Sequence, residues 1–265
     1  MHTDFVKYHG TGNDFVLFDN REGLISPSAH DWFADLCHRR FGIGADGVML
    51  LENHDELDFL MRYYNADGHP SSMCGNGARC IMRFAKSLGV IAKDARFEGP
   101  TGQHYAGRIE NEQVSLALGE FAAPEELTPT ECFIDTGSPH FVRLLDGGPA
   151  ELQLVDVNRE GRDIREQSRW GEGGTNANFF VIEDAVVHMR TYERGVEAET
   201  WSCGTGAVAT ALAAWQAIGT PVESPAEIVL NTPGGMLKVS RDEKSMVWLS
   251  GPVVRVFEGR VKYVY

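Results

Sequence analysis

The sequence predicts an α+β protein that arose by duplication and has two similar domains. The first observation is that Cys74–Ala78 recurs almost unchanged as Cys203–Ala207. The second is that five more landmarks recur in the same order, at offsets of about 125 to 133 residues. The third is that strand-like runs, with fewer helix-like stretches between them, fill both halves. A repeat of this length indicates two copies of one structural unit.

The repeated landmarks combine glycine-rich turns with polar residues at the ends of apolar runs. They pair as Gly12–Val16 with Gly137–Val142, Ile43–Asp46 with Gly174–Ala177, Arg62–Asn65 with Arg190–Glu193, Cys74–Ala78 with Cys203–Ala207, Gly89 with Gly219, and Gly99–Gly102 with Thr232–Gly235. Pro124 and Pro129 indicate a linker within residues 119–130. We therefore expect domains at residues 1–120 and 121–265, with the option that the final strand packs on the N-terminal domain.

The first half opens with two predicted strands, Phe5–Tyr8 and Phe15–Asp19, around a turn that contains Gly10 and Gly12. Ser26 and Pro27 predict a helix start, because Trp32, Phe33 and Leu36 follow at helical spacing. The remaining elements predicted in this half are strands at Val48–Leu51, Asp58–Tyr64, Ala95–Phe97 and Gln113–Leu118 and a helix at Arg79–Lys86. In the second half the pattern predicts a strand at Phe179–Ile182 and a helix at Val208–Gln216.

Composition excludes several function classes. The net charge is −14, which argues against a nucleic acid or an anionic membrane as a partner. No apolar run is long enough to span a bilayer, and the N-terminus lacks the layout of a signal peptide. Five cysteines, an odd number, fit reduced thiols better than a disulfide framework. We expect a cytoplasmic protein without a bound metal, since the histidines lack ligand spacing and no Cys-x-x-Cys occurs.

Cys74 and Cys203 are the candidate reactive groups. Each precedes a glycine-rich turn and a helix, so the helix dipole favours its thiolate and the turn exposes N–H groups to an anion. Two similar domains with a pseudo-twofold axis would place both thiols on opposite sides of one cleft. A carbon between two thiols can lose a proton to one and gain a proton from the other, which inverts a stereocentre. The other cysteines, Cys37, Cys80 and Cys132, are interpreted as packing residues.

Six motifs resemble the diaminopimelate epimerase family over nearly the whole chain. They are His9–Phe15, Asn65–Gly68, Met73–Arg79, Gly137–His140, Glu193–Gly195 and Ser202–Gly206. The resemblance implies two similar domains, each with a mixed β-sheet curled around a central helix, and an active site in the cleft between them. It also implies a cofactor-independent epimerase that converts LL- to meso-diaminopimelate, on the route to lysine and peptidoglycan.

The family pattern assigns roles to individual residues of this chain. Cys74 and Cys203 match the acid and base, while His140 and Glu193 match residues that tune the thiols. The residues expected to bind substrate are, for the carboxylate at the reacting carbon, Gly75, Asn76, Gly204 and Thr205, and for the two amino-acid ends, Asn13, Asn65, Asn176, Glu193 and Arg194. Arg194 suits a carboxylate and Glu193 an ammonium group. Without the resemblance, the three asparagines are ordinary turn residues and the Glu193–Arg194 pair an ordinary solvated one.

Two positions depart from the family pattern, and other readings stay open. Gly47 stands where many members have glutamine, and Ser138 where many have asparagine, which affects substrate contacts rather than the thiols. The alternatives are a proline racemase or hydroxyproline epimerase, and a thiol redox or metal-binding protein. Expected partners are a small amino-acid substrate and, as one option, a second copy in a homodimer. The sequence does not decide which cysteine is the base for which stereoisomer.

Overall fold

The computed structural model describes residues 2–263 of the chain. In chain order its first nine strands and first two helices are β1 (His2–Gly10), β2 (Asn13–Asp19), α1 (His30–Cys37), β3 (Gly47–Glu52), β4 (Phe59–Asn65), α2 (Gly75–Ser87), β5 (Asp94–Glu98), β6 (His104–Glu110), β7 (Gln113–Gly119), β8 (Glu125–Thr128) and β9 (Glu131–Asp135). The later elements are β10 (Pro139–Leu144), α3 (Pro149–Leu154), α4 (Val157–Arg165), a 3-10 turn (Ser168–Trp170), β11 (Asn176–Glu183), β12 (Val186–Glu193), β13 (Ala198–Thr200), α5 (Gly204–Ala217), β14 (Ala226–Thr232), β15 (Gly235–Arg241), β16 (Val247–Pro252) and β17 (Val254–Lys262).

The chain divides into two compact units. One runs from the start of the chain to Ala117 and includes the segment from Gly251 onward, and the other is Leu118–Ser250. In the first unit β17 pairs with β1, and its neighbours follow in the order β1-β2-β3-β4-β5-β6-β7. In the second unit the order is β8-β9-β10-β11-β12-β14-β15-β16, with β13 as an extra partner of β12.

The two sheets have the same topology, pair by pair. In each sheet the third and fourth strands are parallel, the fifth and sixth are parallel, and the other pairs are antiparallel. Parallel neighbours need a crossover, and each of the four crossovers contains helix. Duplication and a mixed α+β fold, both predicted from the sequence, are therefore confirmed.

Each sheet packs a helix on each of its faces. In β2 and β3, Val16 and Val48 pack with Phe33 of α1, while Phe15 and Met49 lie beneath Gly77 of α2. This alternation follows from the two-residue period of a strand, and it explains why these strands are apolar without interruption. In the second unit, one face packs on α3 and α4 and the other on α5.

The central helix of the second unit, α5, is buried on nearly all sides. Its residues from Ala207 to Trp215 are all buried, and they pack against strands from β9 to β16. Apart from Thr210, this stretch consists of Ala, Val, Leu and Trp, so it has no polar stripe to expose and is stable only when a sheet curls around it.

Several local predictions were wrong. The first helix begins at His30 rather than at Ser26 and Pro27, because Ser26 starts a turn in which the Ala29 N–H donates to the Ser26 carbonyl at 3.1 Å. The predicted linker contains the short strand β8, which pairs with β9. Strand β6 was missed, since its sequence lacks a clear alternation, and α3 and α4 were missed within the loop after β10.

Candidate active site

Cys74 and Cys203 are the N-cap residues of α2 and α5. Their backbone angles are nearly equal, with φ −116° and ψ 117° at Cys74 and φ −110° and ψ 116° at Cys203. The sequence predicted a turn between each cysteine and its helix, but the helix starts at the very next residue. Each sulfur therefore lies beside the first helical turn, whose N–H groups have no intrahelical acceptor, and Cys74 Sγ accepts from the Gly77 N–H at 3.5 Å.

At the second glycine of each motif, packing on the sheet rather than the backbone angle disfavours a side chain. A Cβ on Gly77 would lie 2.0 Å from Met49 Cε, and a Cβ on Gly206 would lie 2.6 Å from Asn178 Oδ1. Met49 and Asn178 lie on β3 and β11, which are equivalent strands. The glycines thus let the start of each helix lie directly on its sheet, and this fixes where the cysteine stands.

Three of the predicted residues of the first unit, Asn13, Cys74 and Asn76, are in contact. Asn13 Oδ1 accepts from Asn76 Nδ2 at 3.2 Å and from Cys74 Sγ at 3.6 Å. The amide orientations are determined by their outer partners. Arg79 can only donate, and it donates to Asn76 Oδ1 at 2.9 Å, while Asn13 Nδ2 donates to the Asp46 carboxylate at 2.7 Å. A chain of two amides therefore connects a cation to an anion, and Cys74 contacts it at Asn13.

Asp46 belongs to a balanced group of charges. Asp14 pairs with Lys7 at 2.7 Å and with Arg39 at 2.8 Å, and Arg39 also pairs with Asp46 at 2.6 Å. Burial alone would raise the pKa of Asp14, but the hydrogen bonds and charges of Arg39 and Lys7 outweigh it and hold this pKa at about 2. Two cations and two anions thus neutralise each other beside Asn13.

In the second unit, His140 connects to Cys203 through a hydroxyl group. His140 Nε2 lies 2.9 Å from Thr205 Oγ1, which lies 3.5 Å from Cys203 Sγ. Asn178 Nδ2 donates to the Phe141 carbonyl and so can only donate to His140 Nδ1, at 3.1 Å. The His140 proton is therefore on Nε2 and points at Thr205. The Thr205 hydroxyl, having accepted this bond, is free to donate to the Cys203 sulfur.

His140 is buried completely and remains neutral near pH 7. Burial, and next the charge of Arg194, lower the pKa of His140 to about 3. It therefore acts through a directed N–H rather than as a charge. Asn178, also fully buried, is held in turn by the Thr191 hydroxyl, which donates to its Oδ1 at 2.9 Å.

A second polar group of this unit contains Asn176 and Arg194. Asn176 Nδ2 donates to Ser138 Oγ at 2.9 Å, and its Oδ1 accepts from the Arg194 N–H at 2.9 Å. The Arg194 guanidinium reaches Ser138 Oγ at 3.4 Å. Ser138, which departs from the family pattern, thus joins two predicted substrate residues. Glu193 accepts from the Thr200 hydroxyl at 2.9 Å.

In each sheet the predicted residues lie at the same end of neighbouring strands. Asn13 begins β2 and Asn65 ends β4, while Asn176 begins β11 and Glu193 ends β12. Asn65 is exposed, and its backbone closes a turn with Gly68 and His69. At Gly47, opposite Asn65, a Cβ would lie 2.5 Å from the Tyr64 carbonyl. The backbone therefore leaves no room for the glutamine of other family members.

Sequence reasoning missed four participants: Asp46, Arg79, Asn178 and the hydroxyl of Thr205. Arg79 and Asn178 carried a signal that was not used, since each is a polar residue within an apolar stretch that must be buried. Asp46 had no such signal, because an aspartate in a glycine-rich turn is common.

A third cluster lies away from the cysteines. Within residues 2–263, one group of three potential metal ligands has its donor atoms within 4.8 Å of one another, namely His54, Glu98 and His104. His54 Nδ1 accepts from the N–H groups of Glu56 and Leu57 at 3.0 and 2.9 Å. Its proton is therefore on Nε2, which donates to Glu98 at 3.0 Å instead of offering a lone pair. This geometry fits a hydrogen-bonded pair rather than a metal site.

Comparison with known sequences places the chain in one family. A family model described as "Diaminopimelate epimerase" matches residues 5–121 and 132–256. A diaminopimelate epimerase of Flavobacterium psychrophilum is 43% identical over 257 residues, which cover 95% of this chain and 97% of the relative. The diaminopimelate epimerase of Aquifex aeolicus is 38% identical and covers 97% of each chain.

Solved structures share the fold at low identity. A Bacillus anthracis phenazine biosynthesis protein of the PhzF family aligns with a TM-score of 0.77 at 14% identity, over 99% of this chain and 100% of that chain. A hydroxyproline epimerase from Agrobacterium vitis aligns with a TM-score of 0.62 at 14% identity, over 98% and 92%. Among the helices of the described residues, none combines the length and the apolar composition needed to cross a membrane.

Proposed function

Since the chain belongs to the diaminopimelate epimerase family, we propose that it inverts one α-carbon of LL-2,6-diaminopimelate to give meso-diaminopimelate. This reaction serves the synthesis of lysine and of peptidoglycan precursors. The observation that most supports the proposal is that both units hold a cysteine at the N-cap of the equivalent helix. One N-cap thiol is a common packing feature, whereas two at equivalent positions match the need for an acid and a base.

The reaction needs only proton transfers. The thiolate of one cysteine removes the α-proton and becomes a thiol, and the electron pair of the C–H bond moves into the neighbouring carboxylate. The thiol of the other cysteine then gives its proton to the opposite face of the carbon and becomes a thiolate. The enzyme finishes with its two protonation states exchanged, so it is ready for the reverse reaction.

The first helical turns supply the groups that stabilise the intermediate. The N–H groups at Gly75–Asn76 and at Gly204–Thr205 belong to the first turns of α2 and α5, where no intrahelical carbonyl precedes them and partial positive charge accumulates. Aimed at the carboxylate of the reacting carbon, they favour the extra negative charge that develops on deprotonation.

The far amino-acid end of the substrate fits the second polar group. Arg194 offers a planar fork for a carboxylate, with Asn176 and Ser138 beside it. Ser138 Oγ accepts from Asn176, so its own hydrogen is free for the substrate. We assign Glu193, Asn13 and Asn65 to the same task of binding the charged ends, and we propose that no cofactor or metal takes part in the proton transfers.

The alternative activities differ in what they require. A proline racemase or hydroxyproline epimerase would act on a substrate with one amino-acid end, and the likeness to such structures, at 14 to 16% identity, is one of fold. A thiol redox protein would need its cysteines to exchange electrons rather than protons. We further propose a cytoplasmic location. Measurement of the molecular mass in solution distinguishes a monomer from a homodimer.

The test is isotope exchange in deuterated water. Incubation with LL-diaminopimelate should yield meso product with deuterium at the inverted carbon, while unreacted substrate stays unlabelled early in the reaction. Chelator-treated protein without added pyridoxal phosphate should behave the same. The matched control is Cys80→Ser, on the same helix as Cys74 but buried and away from its N-terminus, which should keep activity. Labelling of L-proline or hydroxyproline instead would favour the racemase alternative.

A further inference from the structure

Arg79 is an unusual residue for its position. Its side chain is fully buried in α2, and it has no carboxylate partner among the described residues. Only Nη2 is hydrogen-bonded, to Asn76 Oδ1 at 2.9 Å and to Thr11 Oγ1 at 3.3 Å, and within residues 2–263 nothing accepts from Nε or Nη1. Burying a cation in this way is costly, so a purely structural role would be better filled by an apolar residue.

The surrounding charges do not neutralise it. Helix α2 packs against β1, β2, β3 and β6. The carboxylates of these strands are paired with other cations, in the pairs Asp4–Arg260, Asp14–Lys7, Asp19–Arg21, Glu52–Arg62 and Glu110–Lys93. The pair formed by Arg39 and Asp46 balances as well. The ionisable groups that interact electrostatically with Arg79 are the thiols of Cys80 and Cys74.

Of these two thiols, Cys74 is the one that solvent reaches. Burial raises the pKa of Cys80 far above its usual range, whereas Cys74 is partly exposed at the helix start. Cys74 lies five residues before Arg79, or about 7.5 Å along the helix axis. Without its own counter-ion, the guanidinium charge acts on the Cys74 sulfur through the protein interior, where screening is weak.

Arg79 also sets the orientation of the amides beside Cys74. Its donation to Asn76 Oδ1 turns Asn76 Nδ2 toward Asn13, and this turns Asn13 Oδ1 toward the Cys74 sulfur. The contact at 3.6 Å is a weak bond that suits the thiol, and the charge of Arg79 opposes it by favouring the thiolate. Both protonation states of Cys74 are thereby kept accessible.

We infer that Arg79 is a buried positioning residue whose guanidinium orients the amides beside Cys74 and favours the thiolate form of that cysteine. The repeat supports this assignment by contrast. The position equivalent to Arg79 in α5, five residues after Cys203, is Val208, which is buried in an apolar core. The role in epimerisation rests on the proposed function, but the effect on Cys74 does not.

The experiment measures the pKa of each cysteine without substrate. Wild type, Arg79→Met and Arg79→Lys are alkylated with iodoacetamide across pH, and mass spectrometry of the peptides follows Cys74 and Cys203 separately. In wild type the pKa of Cys74 should lie at least one unit below the ordinary value of about 8.5. Met keeps the length without the charge, so the pKa of Cys74 should rise by about one unit, a tenfold loss of thiolate near neutral pH. Lys should largely restore it, and Cys203 should not respond.

Thermal unfolding separates this role from a structural one. Because Met removes an unpaired buried charge, Arg79→Met should melt no lower than wild type while its epimerase activity falls. An unshifted Cys74 pKa in this variant would overturn the inference, as would an equal shift at Cys203. If the variant does not fold, the wild-type value decides, since a Cys74 pKa at or above 8.5 would also overturn it. Failure of the proposed function would appear instead as absent isotope exchange with the Cys74 shift intact.

Discussion

Cys74 and Cys203 have the same backbone position in the two units, but different chemical groups surround them. Beside Cys74 lie an amide oxygen, a cation at one end of the amide chain and an aspartate at the other. Beside Cys203 lies a threonine hydroxyl, directed by a neutral histidine and a buried amide. The two units therefore share the helix start and differ in the polar groups beside the thiol.

The difference shows how one scaffold can hold two unlike thiols. The Cys203 sulfur receives a donated hydrogen bond, which favours its thiolate directly. The Cys74 sulfur accepts from the Gly77 N–H, which favours the thiolate as the buried positive charge of Arg79 does, but it also meets the Asn13 amide oxygen, an acceptor that favours the thiol. The proposed reaction requires each cysteine to act as a thiol in one direction and as a thiolate in the other, and the two units would meet this requirement with different polar groups.

The largest effect is expected from replacing either cysteine. Cys74→Ser and Cys203→Ser should each nearly abolish epimerisation from both stereoisomers, because serine has the shape of cysteine but is a far weaker acid. Turnover of both isomers is measured for each variant, with circular dichroism to check folding. A variant that kept more than about a tenth of wild-type turnover, a barrier change below ~1.4 kcal/mol, would refute the two-thiol mechanism.

The hydroxyl beside Cys203 should matter next. Thr205→Val keeps the shape and the backbone N–H but removes the donor to the sulfur. We expect kcat/KM to fall by an amount that corresponds to about 1.5 to 3 kcal/mol of lost transition-state stabilisation, which is the contribution of a hydrogen bond to a charged group. The pKa of Cys203 should rise while that of Cys74 stays constant. Thr205→Ser is the matched control and should lie close to wild type; equal losses in both variants would mean that the hydroxyl has no role.

The two packed glycines allow a comparison at the level of stability. Gly206→Ala should destabilise by about 1 to 3 kcal/mol, because the new methyl group meets Asn178, which is held by Thr191 and the Phe141 carbonyl. Gly77→Ala meets the end of the flexible Met49 side chain and gains helix propensity of up to ~1 kcal/mol, so its net effect should be small. Urea unfolding of both variants gives the comparison, and equal destabilisation would contradict it.

The sequence predicted the parts of this fold that repeat. Periodic apolar runs and paired landmarks indicated the sheets, and the Cys-Gly motifs located the two central helices, although each helix begins four residues earlier than predicted, at Gly75 and Gly204 instead of Arg79 and Val208. The charged and amide groups that contact the site residues could not be predicted. For example, Asn13 and Asp46 lie 33 residues apart in the sequence and meet only because β2 pairs with β3. The same holds for His140 and Asn178, which β10 and β11 bring together. Side-chain networks across strands depend on register, and one sequence without its sheet does not give register.

The smallest effect we predict distinguishes the two units by their response to acid. His140 has a folded-state pKa of about 3, below its ordinary 6.5, so between these values the unfolded chain binds a proton that the folded chain does not. Stability should therefore fall as pH drops, by about 1 kcal/mol between pH 6.5 and 5.5 for this group. Asp14 also has a lowered pKa, about 2 against 3.8, but its contribution is complete above pH 3.8 and is lost only below it.

Urea unfolding of wild type, His140→Gln and Asp14→Asn at pH 6.5 and 5.5 tests the difference. The loss of unfolding free energy between pH 6.5 and 5.5 should shrink in His140→Gln and stay unchanged in Asp14→Asn. An unchanged loss in His140→Gln would mean that the fold does not lower the pKa of this histidine.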